Sequence, residues 1–301
     1  MFHIMDHLGI IIALITFTVS VIYFLKYFNV FKMMTRPDSS IKFKKCESPG
    51  CVRCNLYDEV LTDAADRLEK LCQHSTDKQD LHQDLKRIKN SFKTNIPTRS
   101  EQKPEVFYLH GLTAMPWWTS SFHFATDVKI LEDNFNVICQ EFFQVNSDSR
   151  AFWKVNSTPN GQWKVLHLVN QGKVQRDMVD LCPKTFDIAS SLQSLMTKNV
   201  FANVAFSVIE PGTVITEHYG PTNTRLRCHL GLVTPSSCHL CVAGSCCDWR
   251  RGECLLFDDS HLHSVVHEGD QWRAVFMVDL WHPHVTRPER SAIDIIFKSE
   301  S

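Results

Sequence analysis

The 301-residue chain has almost no net charge, because its 32 lysines and arginines nearly balance its 33 aspartates and glutamates. This balance gives no electrostatic reason to expect a nucleic-acid ligand or a strongly acidic partner. Internal repeats are missing as well, which argues against a tetratricopeptide-like helical array. Hydrophobic residues make up 44% of the chain, an ordinary share, so the length suffices for one sizeable domain with an appendage.

No two CxxC motifs stand at the spacing of a zinc finger, although the chain contains 12 cysteines. The cysteines are too dispersed for a small disulfide scaffold. The densest group is CESPGCVRC, Cys46–Cys54, with three thiols and no nearby histidine. This group fits a disulfide in an oxidising compartment or a metal site in a reducing one, and the residues leave both open.

One long uncharged run stands near the N-terminus: LGIIIALITFTVSVIYFL, residues 8–25. As a helix it is long enough to cross about 30 Å of hydrocarbon. Aromatic residues crowd its C-terminal end, as they do at a membrane interface. No basic region precedes it, which disfavours a cleaved signal peptide. We therefore predict a single transmembrane helix within residues 1–27, with a buried core helix as the alternative.

The residues themselves leave the side of the membrane open. Basic residues follow the uncharged run and none precedes it, so the positive-inside rule favours a cytoplasmic C-terminal part. The cysteine content and the sequon Asn156-Ser157-Thr158 favour a lumenal one, because only a lumenal chain is glycosylated at such a site.

Two further regions follow the predicted anchor. Residues 28–102 are predicted to form a cysteine-containing stalk and a helical flank, because apolar residues between Tyr57 and Phe92 recur at three- and four-residue spacing. Residues 103–301 are predicted to form the main domain. Within it, PEVFYLHGL, residues 104–112, is expected to be a first strand, and Asp127–Val145 an amphipathic helix.

Short β-rich segments fill the C-terminal part of the chain: NVAFSVIEPGTVITEHYGP, LRCHLGLVTP, HLCVAG, GECLLFDDS, SVVHEG and WRAVFMVDLWHP. Gly, Pro, Ser and Asp separate them. Many short strands with frequent turns are typical of a β-sandwich or jelly roll. Since helical patterns precede the strands, the predicted fold class is α+β with a double-sheet core.

Charged residues stand at strand positions that an apolar core would otherwise fill. Arg227 and His229 are two residues apart and share one face of a predicted strand. On the last predicted strand, Arg273 shares a face with Val275 and Met277. An arginine that points inward requires an anion, because an unpaired buried charge is strongly unfavourable.

Two histidines near these arginines are candidate metal ligands. His218 and His263 are 45 residues apart, and His261 is an alternative to the second. Imidazole ligands suit iron, zinc or copper. A metal ion together with a dicarboxylate cosubstrate satisfies the histidines and the inward arginines at once.

Three segments carry a family resemblance: PGTVITEHYGPTNTRLRCHLGL, CLLFDDSHLH and FMVDLWHP. With them, residues Lys103–Phe297 closely resemble the aspartyl/asparaginyl β-hydroxylase family of 2-oxoglutarate-dependent oxygenases. The segments CESPGCVRC and NSTPNGQW, with LVNQG, resemble more narrowly its membrane-anchored members. The resemblance implies a double-stranded β-helix, which is a jelly-roll variant, and a type II membrane protein whose domain lies in the secretory lumen.

The resemblance also implies the cofactors and the residues that bind them. It assigns Fe(II) to His218 and His263. It assigns the cosubstrate 2-oxoglutarate to a set of polar and aromatic positions: Ser207, Arg227, His229 and Arg273, with Trp163 and Cys228 adjoining. The implied reaction is hydroxylation at Cβ of Asp or Asn side chains in a peptide or protein substrate. The metal supplies the chemistry, so no catalytic residue beyond its ligands is expected.

One departure from the wider oxygenase pattern stands at Gly220. The segment His218-Tyr219-Gly220 lacks the acid of His-x-Asp/Glu, in which two histidines and a carboxylate bind iron. The family shares this gap, so the gap does not indicate an inactive enzyme. We expect the cosubstrate dianion to balance the charge of the metal, and Asp258 and Asp259 to close a turn or hold a ligand histidine. An inactive membrane-anchored binding module and a cupin-type enzyme with another metal are the alternatives.

Overall fold

The structure, a computed structural model, describes residues 57–73, 85–94, 101–119 and 121–299. The predicted anchor at residues 8–25 and the CESPGCVRC cluster lie outside these ranges. Within the ranges, no helix combines the length and the apolar character that a bilayer crossing requires.

Two antiparallel sheets form the centre of the described chain. The strands are β1 (Lys154–Asn156), β2 (Trp163–Asn170), β3 (Lys173–Val174), β4 (Val204–Ile209), β5 (Val214–His218), β6 (Arg225–Val233), β7 (Cys238–Val242), β8 (Ser245–Asp248), β9 (Cys254–Phe257), β10 (His263–His267) and β11 (Arg273–Trp281). The larger sheet has the order β1-β2-β4-β11-β6-β9, with β3 paired to β2, and the smaller sheet has the order β5-β10-β7-β8.

The strand order confirms the prediction of a jelly-roll-like core. From β4 to β11 the chain passes back and forth between the sheets, so that β4, β6, β9 and β11 pair in one and β5, β7, β8 and β10 in the other. Every segment predicted as β-rich from residue 203 onward contains at least one strand. Strands β1, β2, β3 and β8 are not among the predicted ones, and the residues of β8 carry no apolar alternation.

Helices lie mostly before the strands, as predicted for an α+β protein. They are α1 (Tyr57–Gln73), α2 (Lys86–Thr94), α3 (Ala125–Asp133), α4 (Phe135–Ser147), α5 (Arg176–Leu181), α6 (Pro183–Ser190) and α7 (Arg287–Ile296), with a 3₁₀ turn at Phe122–Phe124. The predicted single helix Asp127–Val145 is two helices, because the chain leaves helical geometry at Asn134. The side-chain amide of Asn134 donates to the carbonyl of Ile130 at 2.8 Å, which caps α3.

The prediction of a first strand at residues 104–112 is wrong. Residues 106–109 of this segment are buried, yet the segment forms only a single bridge, between Phe107 and Thr222, instead of a ladder, and it turns at residues 110–111. The side chain of Asn223 takes the place of a neighbouring strand. Its Oδ1 accepts from the backbone N–H of Leu109 at 2.8 Å, and its Nδ2 donates to the carbonyl of Leu109 at 3.0 Å. The Asn223 amide satisfies the backbone of Leu109, and the carbonyls of Gly220 and Pro221 accept from the backbone N–H groups of residues 105–107, so the segment needs no partner strand.

Strand alternation separates two environments on the larger sheet. Ala274, Phe276 and Val278 of β11 face an apolar layer formed with α3, α4 and α6. A fully buried Phe or Leu in such a layer contributes about 1.5–3 kcal/mol. Arg273 and Val275 alternate with them, so they point into the space between the two sheets, as the sequence predicts. The polar residues of interest lie in that inner space.

Candidate metal and anion site

His218 and His263 face each other on neighbouring strands of the smaller sheet. They are direct partners in the ladder between β5 and β10, and their ring centroids lie 4.1 Å apart. His263 is buried and His218 is half-buried. Two positions 45 residues apart in the chain therefore present two imidazoles at one point, near the end of β5 and the start of β10.

The backbone sets the orientation of both rings. Nδ1 of His218 donates to the carbonyl of Thr216 at 2.8 Å, and Nδ1 of His263 donates to the carbonyl of His261 at 2.9 Å. A carbonyl only accepts, so Nδ1 of each ring carries a proton, and in the neutral ring the lone pair then lies on Nε2. Neutral imidazoles held in this tautomer by an outer hydrogen bond are the usual form of histidine that ligates a metal. The pair therefore fits a metal ion.

The carboxylate of Asp259 fills the space beside Gly220, the position at which the wider oxygenase pattern has an acidic metal ligand. A Cβ built on Gly220 would lie 2.5 Å from Cγ of Asp259 and 2.6 Å from both of its oxygens. The carboxylate of Asp259 thus fills the volume that a side chain at position 220 would need. Among the described residues, no three His, Cys, Asp or Glu side chains are grouped so as to hold a metal ion.

Asp259 forms ion pairs with two arginines. Nη2 of Arg225 lies 2.6 Å from its Oδ2, and Nη1 of Arg227 lies 3.7 Å from the same atom. Burial alone would raise the pKa of this carboxyl, but the two guanidinium groups hold the pKa of Asp259 well below its usual range. Asp258 closes a turn, as predicted, because its Oδ1 accepts from the backbone N–H of Ser260 at 2.9 Å.

Arg273 is a buried arginine whose charge no acid among the described residues balances. It is buried at the start of β11, and its Nη1 donates to the carbonyl oxygen and to Oγ of Ser207 at 3.2 and 3.4 Å. Among the described residues no aspartate or glutamate forms an ion pair with it, and its buried Nε has no hydrogen-bond partner. Burial lowers the pKa of Arg273 to about 10. Trp163 adjoins this group, donating from Nε1 to Oγ of Ser207 at 3.1 Å.

His229 lies on β6, near Arg273. The ring of Phe257 contacts both His229 and His263, with its centroid 5.1 Å from His229 and 5.9 Å from His263. Burial first, and then the charges of Arg273 and Arg227, hold the pKa of His229 well below its usual value. The ring is therefore neutral. Its Nε2 is buried without a hydrogen-bond partner among the described residues.

Two residues that the resemblance assigns to the cosubstrate lie differently. Arg227 is already paired: its Nε donates to Oδ1 of Asp279 at 2.8 Å and its Nη2 to Oδ2 at 3.1 Å. Cys228 points to the opposite face of β6, where it is buried in the helix-side layer next to Cys254. The structure therefore brings together Trp163, Ser207, His229 and Arg273, but it does not bring the side chain of Cys228 to them.

Trp249 is a member of the site that the sequence patterns do not indicate. It follows β8 in the segment CDWRRGE, where no apolar periodicity marks an inward position. Nevertheless it is buried between the sheets. Its Nε1 lies 3.2 Å from Nδ1 of His229, and the centroid of its ring lies 4.5 Å from Cζ of Arg273.

Comparisons with known proteins show the family of the chain. The family described as aspartyl/asparaginyl beta-hydroxylase matches residues 132–283. Aspartate beta-hydroxylase domain-containing protein 2 of Homo sapiens is 40% identical over 262 residues, which are 84% of this chain and 70% of that protein. Its Xenopus tropicalis counterpart is 42% identical over 265 residues, 85% of this chain and 70% of that protein. The Mus musculus aspartyl/asparaginyl beta-hydroxylase is 34% identical over 196 residues, 64% of this chain and 26% of that protein.

Solved structures match more distantly. A Pseudomonas putida prolyl-4-hydroxylase aligns with a TM-score of 0.34 and 9% identity, covering 52% of this chain and 98% of that chain.

Proposed function

The chain belongs to the aspartyl/asparaginyl β-hydroxylase family, and from this premise we propose that it is a 2-oxoglutarate- and Fe(II)-dependent dioxygenase that hydroxylates Asp or Asn side chains at Cβ in a peptide or protein substrate. The observation that carries the proposal is Arg273, a buried arginine without a carboxylate partner among the described residues, in the same inner space as a pair of facing histidines. An acidic cosubstrate that binds a metal accounts for both.

His218 and His263 would hold the iron through Nε2, the nitrogen on which their hydrogen bonds to backbone carbonyls leave the lone pair. When bound, the ion with 2-oxoglutarate and O2 supplies the oxidising chemistry, in which the cosubstrate is decarboxylated to succinate and a C–H bond is hydroxylated. The protein contributes the ligands, their fixed tautomers and a shielded space between the sheets.

Arg273 and Ser207 would bind the carboxylate of 2-oxoglutarate that lies far from the metal. The guanidinium is buried and Nη1 already lies on the Ser207 side chain, so the two donors form a rigid anion site. A carboxylate there removes the unfavourable free energy of an unpaired buried charge. His229 would bind the near carboxylate, because its Nε2 lies buried without a partner among the described residues.

Arg227 would stabilise the carboxylate nearer the metal mainly by electrostatic attraction, without a direct hydrogen bond. Its guanidinium is already paired with Asp279 and lies 3.7 Å from Asp259. Because the protein supplies no carboxylate at Gly220, we expect the cosubstrate dianion to balance the charge of the ion.

The decisive test is succinate formation. We would incubate the full chain with Fe(II), ascorbate and labelled 2-oxoglutarate, with and without Asp- or Asn-containing peptides. Succinate should form, and Arg273→Ala should reduce it on the order of a hundredfold, as expected when a buried charge loses its partner. His218→Ala should reduce it as well. Matched controls are His239→Ala and Arg250→Ala, whose side chains are 39% and 77% exposed.

The outcomes separate the alternatives. Binding of 2-oxoglutarate without succinate would favour an inactive binding module of the same fold. Failure to bind 2-oxoglutarate, together with tight binding of zinc or manganese, would favour a cupin-type enzyme with another metal. Succinate that forms equally well in the wild type and in Arg273→Ala would contradict the role of Arg273.

For the location of the domain we propose the secretory lumen, in a type II orientation behind the predicted anchor. The disulfide between Cys241 and Cys246, on neighbouring strands β7 and β8, supports an oxidising compartment. Asn156 ends the short strand β1 of the larger sheet and is only partly buried. Loss of a glycan-dependent mass shift in Asn156→Gln would support the lumen. In cells whose plasma membrane is permeabilised while the internal membranes stay intact, modification of Cys241 and Cys246 by a thiol reagent that does not cross membranes would oppose a lumenal location.

A further inference from the structure

We propose that Trp249 is a positioning residue for the cosubstrate, which sets the tautomer of His229 with its edge and holds the guanidinium of Arg273 on its face. The inference rests on the proposed function, because it concerns the residues that would bind 2-oxoglutarate. It adds a residue that neither the resemblance nor the strand pattern assigns to the site.

The edge of Trp249 determines which nitrogen of His229 carries the proton. An indole N–H only donates, so Nδ1 of His229, 3.2 Å from Nε1 of Trp249, must accept. A neutral imidazole has one proton, which therefore sits on Nε2. That nitrogen is buried and has no hydrogen-bond partner among the described residues. The hydrogen bond from Trp249 thus makes Nε2 of His229 a hydrogen-bond donor, and no described residue accepts from it.

The face of Trp249 acts on the second anchor. Cζ of Arg273 lies 4.5 Å from the centroid of the indole ring, within the range of a cation–π contact. Trp is the strongest of the aromatic residues in such contacts. The guanidinium is held between this ring, the oxygens of Ser207 and the side chain of Cys238, and its Nε stays without a partner among the described residues.

One buried ring therefore contacts two residues, His229 and Arg273, each of which has a buried nitrogen with no hydrogen-bond partner among the described residues. A ligand with two carboxylates matches this arrangement, because each donor then receives a charged acceptor. Without the indole N–H, Nδ1 of His229 is free to take the proton, and Nε2 then presents a lone pair that repels a carboxylate. The contribution of Trp249 is thus specific to its N–H and its face, beyond the apolar area it buries.

Two substitutions separate these contributions from packing. Trp249→Phe keeps an aromatic face and removes the N–H, whereas Trp249→Leu removes both. The matched control is Trp118→Phe. Trp118 is equally buried, its Nε1 donates to the carbonyl of Met115 at 2.8 Å, and it packs in the helix-side layer away from Arg273 and His229.

The first measurement uses no ligand. Long-range proton–nitrogen spectra of the full-length, [15N]histidine-labelled chain in detergent report the tautomer of each ring, and His229→Gln assigns the signal. We expect wild type and Trp118→Phe to show His229 protonated on Nε2, and Trp249→Phe to show a substantial Nδ1-protonated population. Wild-type His229 protonated on Nδ1 would overturn the inference, and this result needs no variant that folds.

The second measurement is the affinity for 2-oxoglutarate in the presence of Mn(II), by calorimetry. We expect Kd to rise about tenfold in Trp249→Phe, as for loss of a hydrogen bond to a charged group, and further in Trp249→Leu, with no change in Trp118→Phe. An unchanged tautomer and an unchanged Kd in Trp249→Phe would overturn the inference while leaving the proposed function intact. Failure of the wild type to bind 2-oxoglutarate would instead overturn the proposed function.

Discussion

The carboxylate of Asp259 occupies the space in front of Gly220, so close that a Cβ at that position would lie 2.5 Å from its Cγ. The acid that other oxygenases place two residues after the first histidine is thus excluded by packing in this chain. A carboxylate is still near the histidine pair, but Arg225 and Arg227 neutralise it. The charge of a bound ion therefore has to be balanced by something that the protein does not supply.

The first prediction concerns Gly220. Gly220→Ala should lower the free energy of unfolding by about 1–3 kcal/mol, because the new methyl group overpacks a site filled by a buried, ion-paired carboxylate. Urea denaturation measures this change. In a background with Asp259→Ala, which makes room, the same substitution should have a smaller effect, so the double-mutant cycle should show coupling. Full additivity of the two changes would contradict the clash.

The second prediction concerns the coupling of ion and cosubstrate. Fe(II) should bind more weakly without 2-oxoglutarate than with it, because the site lacks an anionic ligand at Gly220. Anaerobic calorimetry with and without 2-oxoglutarate measures the difference. In Arg273→Gln the enhancement should disappear, since the cosubstrate no longer binds. Equal affinity of the wild type for Fe(II) with and without 2-oxoglutarate would contradict this coupling.

The third prediction contrasts two buried arginines. Arg273→Met should raise the free energy of unfolding by about 1–3 kcal/mol, because it replaces an unpaired buried charge by an apolar chain of similar length. Arg225→Met should lower it by about 3–5 kcal/mol, because Asp259 and Asp279 lose a partner at 2.6 and 3.0 Å. Chemical denaturation of both variants provides the measurement. If Arg273→Met is as destabilising as Arg225→Met, then Arg273 has a partner that the proposal overlooks.

The fourth prediction concerns pH and Glu289. Burial would raise the pKa of this carboxyl, but hydrogen bonds from Arg87 and Thr286 outweigh it and lower the pKa below 4.5. A carboxyl with a lowered folded-state pKa contributes stability above its unfolded pKa and loses it as the pH falls through the folded one.

Glu289→Gln should therefore lower the free energy of unfolding by about 1–2 kcal/mol at pH 7 and much less at pH 3. Denaturant unfolding at both pH values tests the difference. The exposed Glu253→Gln serves as the control and should change stability by less than about 0.5 kcal/mol. An equal loss for Glu289→Gln at both pH values would show that the effect is steric.

Local patterns in the sequence were sufficient to predict which strand residues lie on the inner face of the domain. In a strand successive side chains alternate, so the positions of Arg227, His229 and Arg273 follow from their spacing to apolar neighbours. The same alternation, with frequent turn residues, predicts the two-sheet core. The alternation is less informative where a side chain substitutes for backbone pairing, as Asn223 does at Leu109 within residues 104–112.

The amino-acid sequence by itself determined which residues of the predicted strands point between the sheets, because that depends on a two-residue period within each strand. Only the tertiary structure decided which of them meet. Pairing of β5 with β10 brings His218 to His263, and pairing of β6 with β11 brings Asp279 to Arg227 while leaving Arg273 without an acid among the described residues. Trp249 joins them from a segment without a pattern. Contacts of this kind depend on which distant strands become neighbours in a sheet, and local periodicity does not carry that information.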